Sequence, residues 1–417
     1  MCAARRLLVC ADGVISPRTL TLEHRMKPAL PEHLHGLLQH EYPRFSDAEM
    51  KRRRDAMAAV MAERGVDHLV FYGASWTGSA VQWLTQWPVT TECAGIFSPG
   101  QQDRMFVHYY NHLPLARRMA REAVVDWGGP STLGNVVSEL KARGARGGRI
   151  GLIGPLGHEG YRILGDAFGN IVSLGREYVA LRKVKSAEEL DWFRIGAWLS
   201  DLGMHALSEN ARPGESEREL ANAVERAYVG EGGNHVIHFI GSTPMDNPAV
   251  PAPAQYASTR RLERGDIVFS EISAHFFGYS GQVLRSYAVG AEPNDLYRRM
   301  HEVADAAYDA ITGVLRAGAQ ARDVFEASRV IEEAGFETID DVLHGYGGGY
   351  FPPVIGSTTR ENPHNPDEEF VAGQLVVVQP NVVTSDGRAG VQTGEMLLIT
   401  ETGVERMHDL PRGFPVV

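Results

Sequence analysis

Residues 262–290 read LERGDIVFSEISAHFFGYSGQVLRSYAVG. A Gly-Asp turn opens DIVFSEIS, whose Val, Ile and Phe content predicts a strand, and SYAVG predicts another. Glu271 stands inside the first, otherwise apolar run. A buried carboxylate is costly unless it is paired or protonated. Burial would raise its pKa, which suits a general acid or base. The structural alternative is an ion pair with Arg285 across the hairpin.

Working outward, the preceding segment carries two helices. Ser186 with Glu189 and Ser216 with Glu219 form capping boxes, and Pro213-Gly214 separates the helices they open. The pieces HVIHFIG, DIVFSEIS and SYAVG follow as strands. The same grammar then returns. A long helix (DLYRRMHEVADAAYDAITGVLRAG) and a second helix (DVFEASRVIEEAG) precede the strands QLVVVQPNVV and EMLLITETG. Two helix-helix-strand-strand halves predict an internal duplication.

Upstream, residues 45–182 alternate helices and strands, predicting a small α/β domain. Its first helix follows the N-cap Ser46, with Glu49 three residues on and Gly65 at its end. Residues 1–44 carry Pro17, Pro28, Pro31 and Pro43 and read as an extended arm. The expected division is an arm (1–44), an N-terminal domain (45–182) and a C-terminal domain (183–417).

The 417 residues are 43% hydrophobic and 22% charged, with a formal net charge of -11, as in a soluble globular protein. The acidic balance and the lack of a long basic run argue against nucleic acid as a partner. No apolar stretch approaches the roughly 18 residues of a membrane span. Cys2, Cys10 and Cys93 form no CxxC pair, so a zinc ribbon or redox dithiol is not expected. These features predict a cytoplasmic protein with reduced thiols.

Five segments in order resemble the creatinase / aminopeptidase P family (M24), which has the pita-bread fold. They are RKVKSAEEL, the 262–290 hairpin, VLHGYGGG, GQLVVVQPNVV and GVQTGEMLLIT, and the resemblance covers residues 45 to about 412. It implies an α/β (α+β) protein: a creatinase-like N-terminal α/β domain, then a pita-bread domain with a pseudo-two-fold duplication. It also implies a homodimer, in which the tryptophans Trp76, Trp83 and Trp87 form either a lid or the N-terminal core.

Metal-dependent members of that family hold two divalent ions with two aspartates, one histidine and two glutamates. The matching positions here are Glu271, Gln282, Gly348, Gln379 and Gly394, with Glu395 beside the last. On a strand, neighbours point to opposite faces, so Glu395 does not simply replace Gly394. A metal centre and any other cofactor are therefore not expected; a rearranged site would need His235, His238, His275 or His364. Creatinase, a metal-free member, is the nearer comparison. Its histidine falls on Ala254, however, and its carboxylates on Gln379 and Leu284.

The resemblance assembles the candidate site. Glu271 and His344 are the expected catalytic pair. Gln282, Gln379, Arg285, Tyr350, Phe351, Phe239 and Gln392 are expected to bind substrate. Amides can donate to a substrate oxygen, as in oxyanion stabilisation. The groups Gly347, Gly348 and Gly349 permit close backbone approach. A pocket of neutral and donor groups predicts a small, partly apolar substrate bearing a carboxylate or carbonyl, and disfavours an amine. The expected activity is metal-independent, creatinase-type hydrolysis of a C–N bond. A lyase, a non-catalytic binding protein and a conventional metallopeptidase are the alternatives.

Overall fold

The structure is a computed structural model that describes residues 27–74, 79–147, 149–357, 359 and 367–417. Cys2, Cys10, Trp76 and His364 lie outside the described residues. Two sheets organise the chain, one on each side of residues 175–183.

The first sheet joins β1 (His68–Ala74), β2 (Glu92–Phe97), β3 (Asp103–Val107), β4 (Ala123–Trp127), β5 (Ile150–Ile153) and β6 (Val172–Ser173). Its order is β4-β3-β2-β1-β5-β6. Helix Asp47–Glu63 begins where Ser46 accepts the Glu49 N–H. That helix packs Met57 and Met61 with Leu69, Phe71, Trp83 and Trp87. Trp83 and Trp87 are thus core residues. Cys93 is a free thiol within the same cluster. The third strand stops at Val107, and Tyr110–His112 turns into a 3-10 helix.

The second sheet is built from β7 (Asn234–Pro244), β8 (Asp266–Phe276), β9 (Tyr279–Ser280), β10 (Val283–Ala288), β12 (Leu343–Tyr346), β13 (Tyr350–Ile355), β14 (Leu375–Val378), β16 (Gly394–Ile399) and β17 (Val404–Arg406). Its main path runs β13-β12-β14-β16-β10-β8-β7. A separate pair joins β11 (Glu337–Thr338) to β15 (Val382–Val383). Helix Ala187–Asn210 starts at the Ser186–Glu189 capping box and covers one half of the sheet through Ile195, Leu199 and Leu207. Helix Asp295–Val314 covers the other half through Met300, Ala304 and Ile311. The expected second helix of this half is two short ones, Ala321–Ala327 and Val330–Glu333. Between them Ser328 turns its hydroxyl back to the Phe325 carbonyl, which competes with helix continuation.

The described part of the arm is not extended. Leu30 and Leu34 are buried with Trp192 and Leu199 of the second unit's core. A short 3-10 and α-helical stretch, Glu32–Leu34 and His35–Leu38, puts them there. Among the described residues no helix is long and apolar enough to cross a membrane.

Candidate active site

Strand parity sorts the candidate residues onto two faces. Leu284 is the cross-strand partner of Glu271, and Arg285 that of Ser270. Directly opposed residues share a face, so Glu271 and Arg285 point to opposite sides. Ser270 faces Met204 of the long helix. Arg285 lies on that side and donates to Glu395 Oε2 at 2.6 Å. Arg406 and Tyr308 complete the shell around Glu395. The alternative of a Glu271–Arg285 pair is therefore corrected, and Arg285 is a buried framework residue on the face opposite Glu271.

The other face gathers a polar chain. Gln282 Nε2 donates to Glu271 Oε1 at 2.7 Å and to Gln379 Oε1 at 3.2 Å. Gln379 Nε2 reaches Asp341 Oδ2 at 3.4 Å and Tyr350 Oη at 3.5 Å. Tyr350 Oη donates to Asp341 Oδ1 at 2.7 Å. Both amides thus spend their N–H groups on carboxylate, amide and phenol oxygens within one cluster.

Burial pushes Glu271 up to about 8, and the neighbouring Asp340 and Asp341 add to the rise. Asp341 is likewise raised, by burial first and then by Asp340. Neither Glu271 nor Asp341 has a Lys or Arg acting on it as a main cause. Carboxyls crowded without a cation keep their protons to higher pH. Asp340 and Asp341 were not among the expected site residues, and their arrival makes the cluster acidic rather than neutral. The signal was present as an acidic doublet heading the apolar strand VLHG.

His344 is fully buried and stacks on Tyr350, with ring centroids 4.0 Å apart. Its Nδ1 donates to the Gly345 carbonyl at 2.8 Å, which leaves Nε2 as the bare acceptor. Among the described residues Nε2 meets no partner at hydrogen-bonding geometry, although Gln379 and Asp340 are near enough to favour the charged ring. Burial outweighs them and holds the imidazole down at about 4.

The remaining expected residues divide. Phe239 is the β7 partner of Glu271 and shares its face. Phe351 instead meets Arg182 and Lys185, away from the carboxyl cluster. Gln392 is buried and anchors its backbone N–H on Ser286, with no side-chain bond into the cluster.

The positions matching the family's metal ligands do not fit a dinuclear centre. A Cβ on Gly348 would lie 2.5 Å from the Gly278 carbonyl oxygen, and its φ is +87°. A Cβ on Gly394 would lie 2.3 Å from the Val378 carbonyl oxygen. Gln282 and Gln379 are neutral, and Glu395 is spent on Arg285 and Arg406. Among the described residues no group of three or more His, Cys, Asp or Glu side chains could hold a metal ion. His235 and His238 do meet edge to face with ring centroids 4.3 Å apart, but His238 bonds Tyr228.

Known proteins place this architecture. The family described as metallopeptidase family M24 matches residues 191–401. Probable dipeptidase PepE of Mycobacterium tuberculosis (strain H37Rv) is 30% identical over 268 residues, covering 61% of this chain and 66% of that protein. Xaa-Pro dipeptidase of Pyrococcus furiosus is 26% identical over 231 residues, covering 54% of this chain and 63% of that protein. The chain thus aligns with just under two thirds of the length of these relatives. Among solved structures, X-Pro aminopeptidase from Thermotoga maritima superposes with a TM-score of 0.76 at 18% identity, covering 87% of this chain and 99% of that one. Dipeptidase PepE from Mycobacterium ulcerans gives 0.73 at 22%, covering 90% and 99%. These likenesses carry the α/β architecture and the pita-bread fold expected from the five segments. They also correct the expected activity: the relatives are named as dipeptidases and aminopeptidases, which leaves a metal-independent, creatinase-type enzyme without support. With its match over 191–401, this chain belongs to metallopeptidase family M24.

Proposed function

We propose that this chain hydrolyses the peptide bond of small peptides of the dipeptide class, at the polar cluster that holds Glu271. The observation that carries the reading is the chain of contacts from Glu271 through Gln282 and Gln379 to Asp341 and Tyr350. The names of the relatives, dipeptidase and Xaa-Pro dipeptidase, supply the substrate class.

Peptide hydrolysis needs a proton delivered to the leaving amine and another removed from water. Glu271 holds its proton up to about 8, so at neutral pH it is the donor. Gln282 and Gln379 can turn N–H groups from their present partners to a developing oxyanion. His344 Nε2, buried and unpartnered, accepts from a substrate N–H. Phe239 stands beside Glu271 on the same face, and Tyr350 ends the chain of contacts at Asp341. Arg285, Phe351 and Gln392 have no part in the chemistry.

The same reading includes a homodimer in the cytoplasm acting on a small-molecule substrate, and the three-part division at residues 44/45 and 182/183. The separate core clusters of the two sheets support that division.

The test is amino-acid release from a dipeptide panel, Xaa-Pro members included, by the full chain, with and without added Mn²⁺, Co²⁺ or Zn²⁺. Hydrolysis is expected, and Glu271→Gln should lower kcat by about 100-fold or more. Absence of release from every peptide in every buffer, or full activity of Glu271→Gln, would overturn the reading.

A further inference from the structure

A cavity lies between helix Ser79–Thr85 and the second sheet, beside the glycine loop that follows His344. Its volume is about 550 Å³, within the ordinary range for small-molecule sites. Trp83, Pro88 and Val89 give it an apolar wall. Arg182 is the one charged residue among the described residues that line it, and no Asp or Glu is among them. That is unusual local chemistry in a chain of net charge -11.

Arg182 is held but not neutralised. Its Nη2 donates to the Gly347 carbonyl at 2.7 Å, and its Nη1 makes a long contact of 3.4 Å with Ser79 Oγ. The guanidinium lies 5.3 Å from the ring centres of both Tyr178 and Phe351. Of its five N–H donors, these contacts use two, and it has no carboxylate partner among the described residues. A planar, pre-positioned fork with free donors matches a carboxylate. Across the cavity His275 Nδ1 accepts the Gly278 N–H at 2.8 Å, so Nε2 carries the ring hydrogen and is a donor. Asn234 lines the same space.

Lys185, close behind, reports the same field. Its ammonium is pushed down to about 7, by burial first and then by Arg182. An anion placed against Arg182 would relieve that repulsion.

We propose that this cavity binds a small organic carboxylate with an apolar body, the carboxylate on Arg182 and the body against Trp83 and Val89. The carboxylate is either the C-terminus of a peptide substrate or a separate ligand.

The probe is 3-phenylpropionate, with 3-phenylpropionamide as its neutral counterpart, titrated into the full chain by calorimetry. The carboxylate is expected to bind at least tenfold tighter than the amide. Arg182→Gln should abolish that preference, and Arg182→Lys should retain part of it. Equal binding of carboxylate and amide to the unmodified protein would overturn the proposal, without any variant having to fold. Retention of the preference in Arg182→Gln would overturn it too. Competitive inhibition of dipeptide hydrolysis by 3-phenylpropionate assigns the site to the substrate's own C-terminus. Binding without competition assigns it to a separate ligand, and both results support the site. Because binding is read directly, failure of peptide hydrolysis does not decide this proposal.

Discussion

Arg285 and Glu395 meet at 2.6 Å on the helix-covered face of the second sheet, while Glu271, one strand away, points to the opposite side and meets Gln282. Parity along β10 and β16 makes this separation: Val283 is the cross-strand partner of Glu395 and Leu284 that of Gly394. One carboxylate is thereby ionised and structural, the other protonated and available.

The two carboxylates should respond to acid in opposite ways. Arg285 and Arg406 overcome the burial of Glu395 and hold it down at about 2, against an ordinary 4.5. Its stabilising contribution is present above about 4.5 and is lost as pH falls towards about 2. Glu395→Gln leaves Arg285 buried without its anion and should cost about 3–5 kcal/mol at pH 7. Thermal melts at pH 7 and pH 3 check this; the gap between variant and parent should narrow at the lower pH.

Glu271 carries the reverse sign. Its folded pKa, about 8, lies above the ordinary 4.5. The stability tied to its proton is fully present below about 4.5 and is lost as pH rises to about 8. Glu271→Gln removes that loss, so the variant should be the more stable protein at pH 9, by roughly 3–5 kcal/mol. Melting curves from pH 4.5 to pH 9 should show parent and variant diverging steadily. Parallel curves would mean that Glu271 ionises freely.

Hydrolysis should follow the same group. With Glu271 as proton donor, kcat against dipeptides should fall on an alkaline limb near pH 8. Asp341 is one of the charges that raise Glu271, so Asp341→Asn should move the limb to lower pH. A limb that stays in place in Asp341→Asn would separate the two carboxyls.

Gly348 should resist replacement. Its φ of +87° and the 2.5 Å approach of a Cβ to the Gly278 carbonyl both penalise any side chain. Gly348→Ala should therefore cost more than about 1 kcal/mol, read as a lowered melting temperature. Gly349→Ala is the informative comparison, because nothing lies within 4 Å of a Cβ there and only its φ of +154° counts against it.

Much was written locally. The capping boxes at Ser186 and Ser216 are short-range hydrogen-bond devices, and both appear where the sequence places them. A largely apolar run with one charged residue inside it announces β8 and singles out Glu271. Hydrophobic periodicity predicts one helix over 323–335, but the hydroxyl back-bond at Ser328 that accompanies its break leaves no trace in that periodicity.

What the sequence by itself determined is the order of elements and the identity of the residues opposite the family's ligand positions. Strand parity even sets Glu395 apart from Gly394 before any contact is known. Only the tertiary structure decided how charges pair across the sheet. Arg285 finds Glu395 rather than Glu271, and Asp341 arrives beside Gln379 from a residue separation of 38. Such pairings depend on register between distant strands, and a one-residue shift would turn every side chain to the other face. The Arg182 cavity is likewise tertiary, because its walls come from helix Ser79–Thr85, residues 88–90, Arg182 and strands of the second sheet, and no single segment contains its shape.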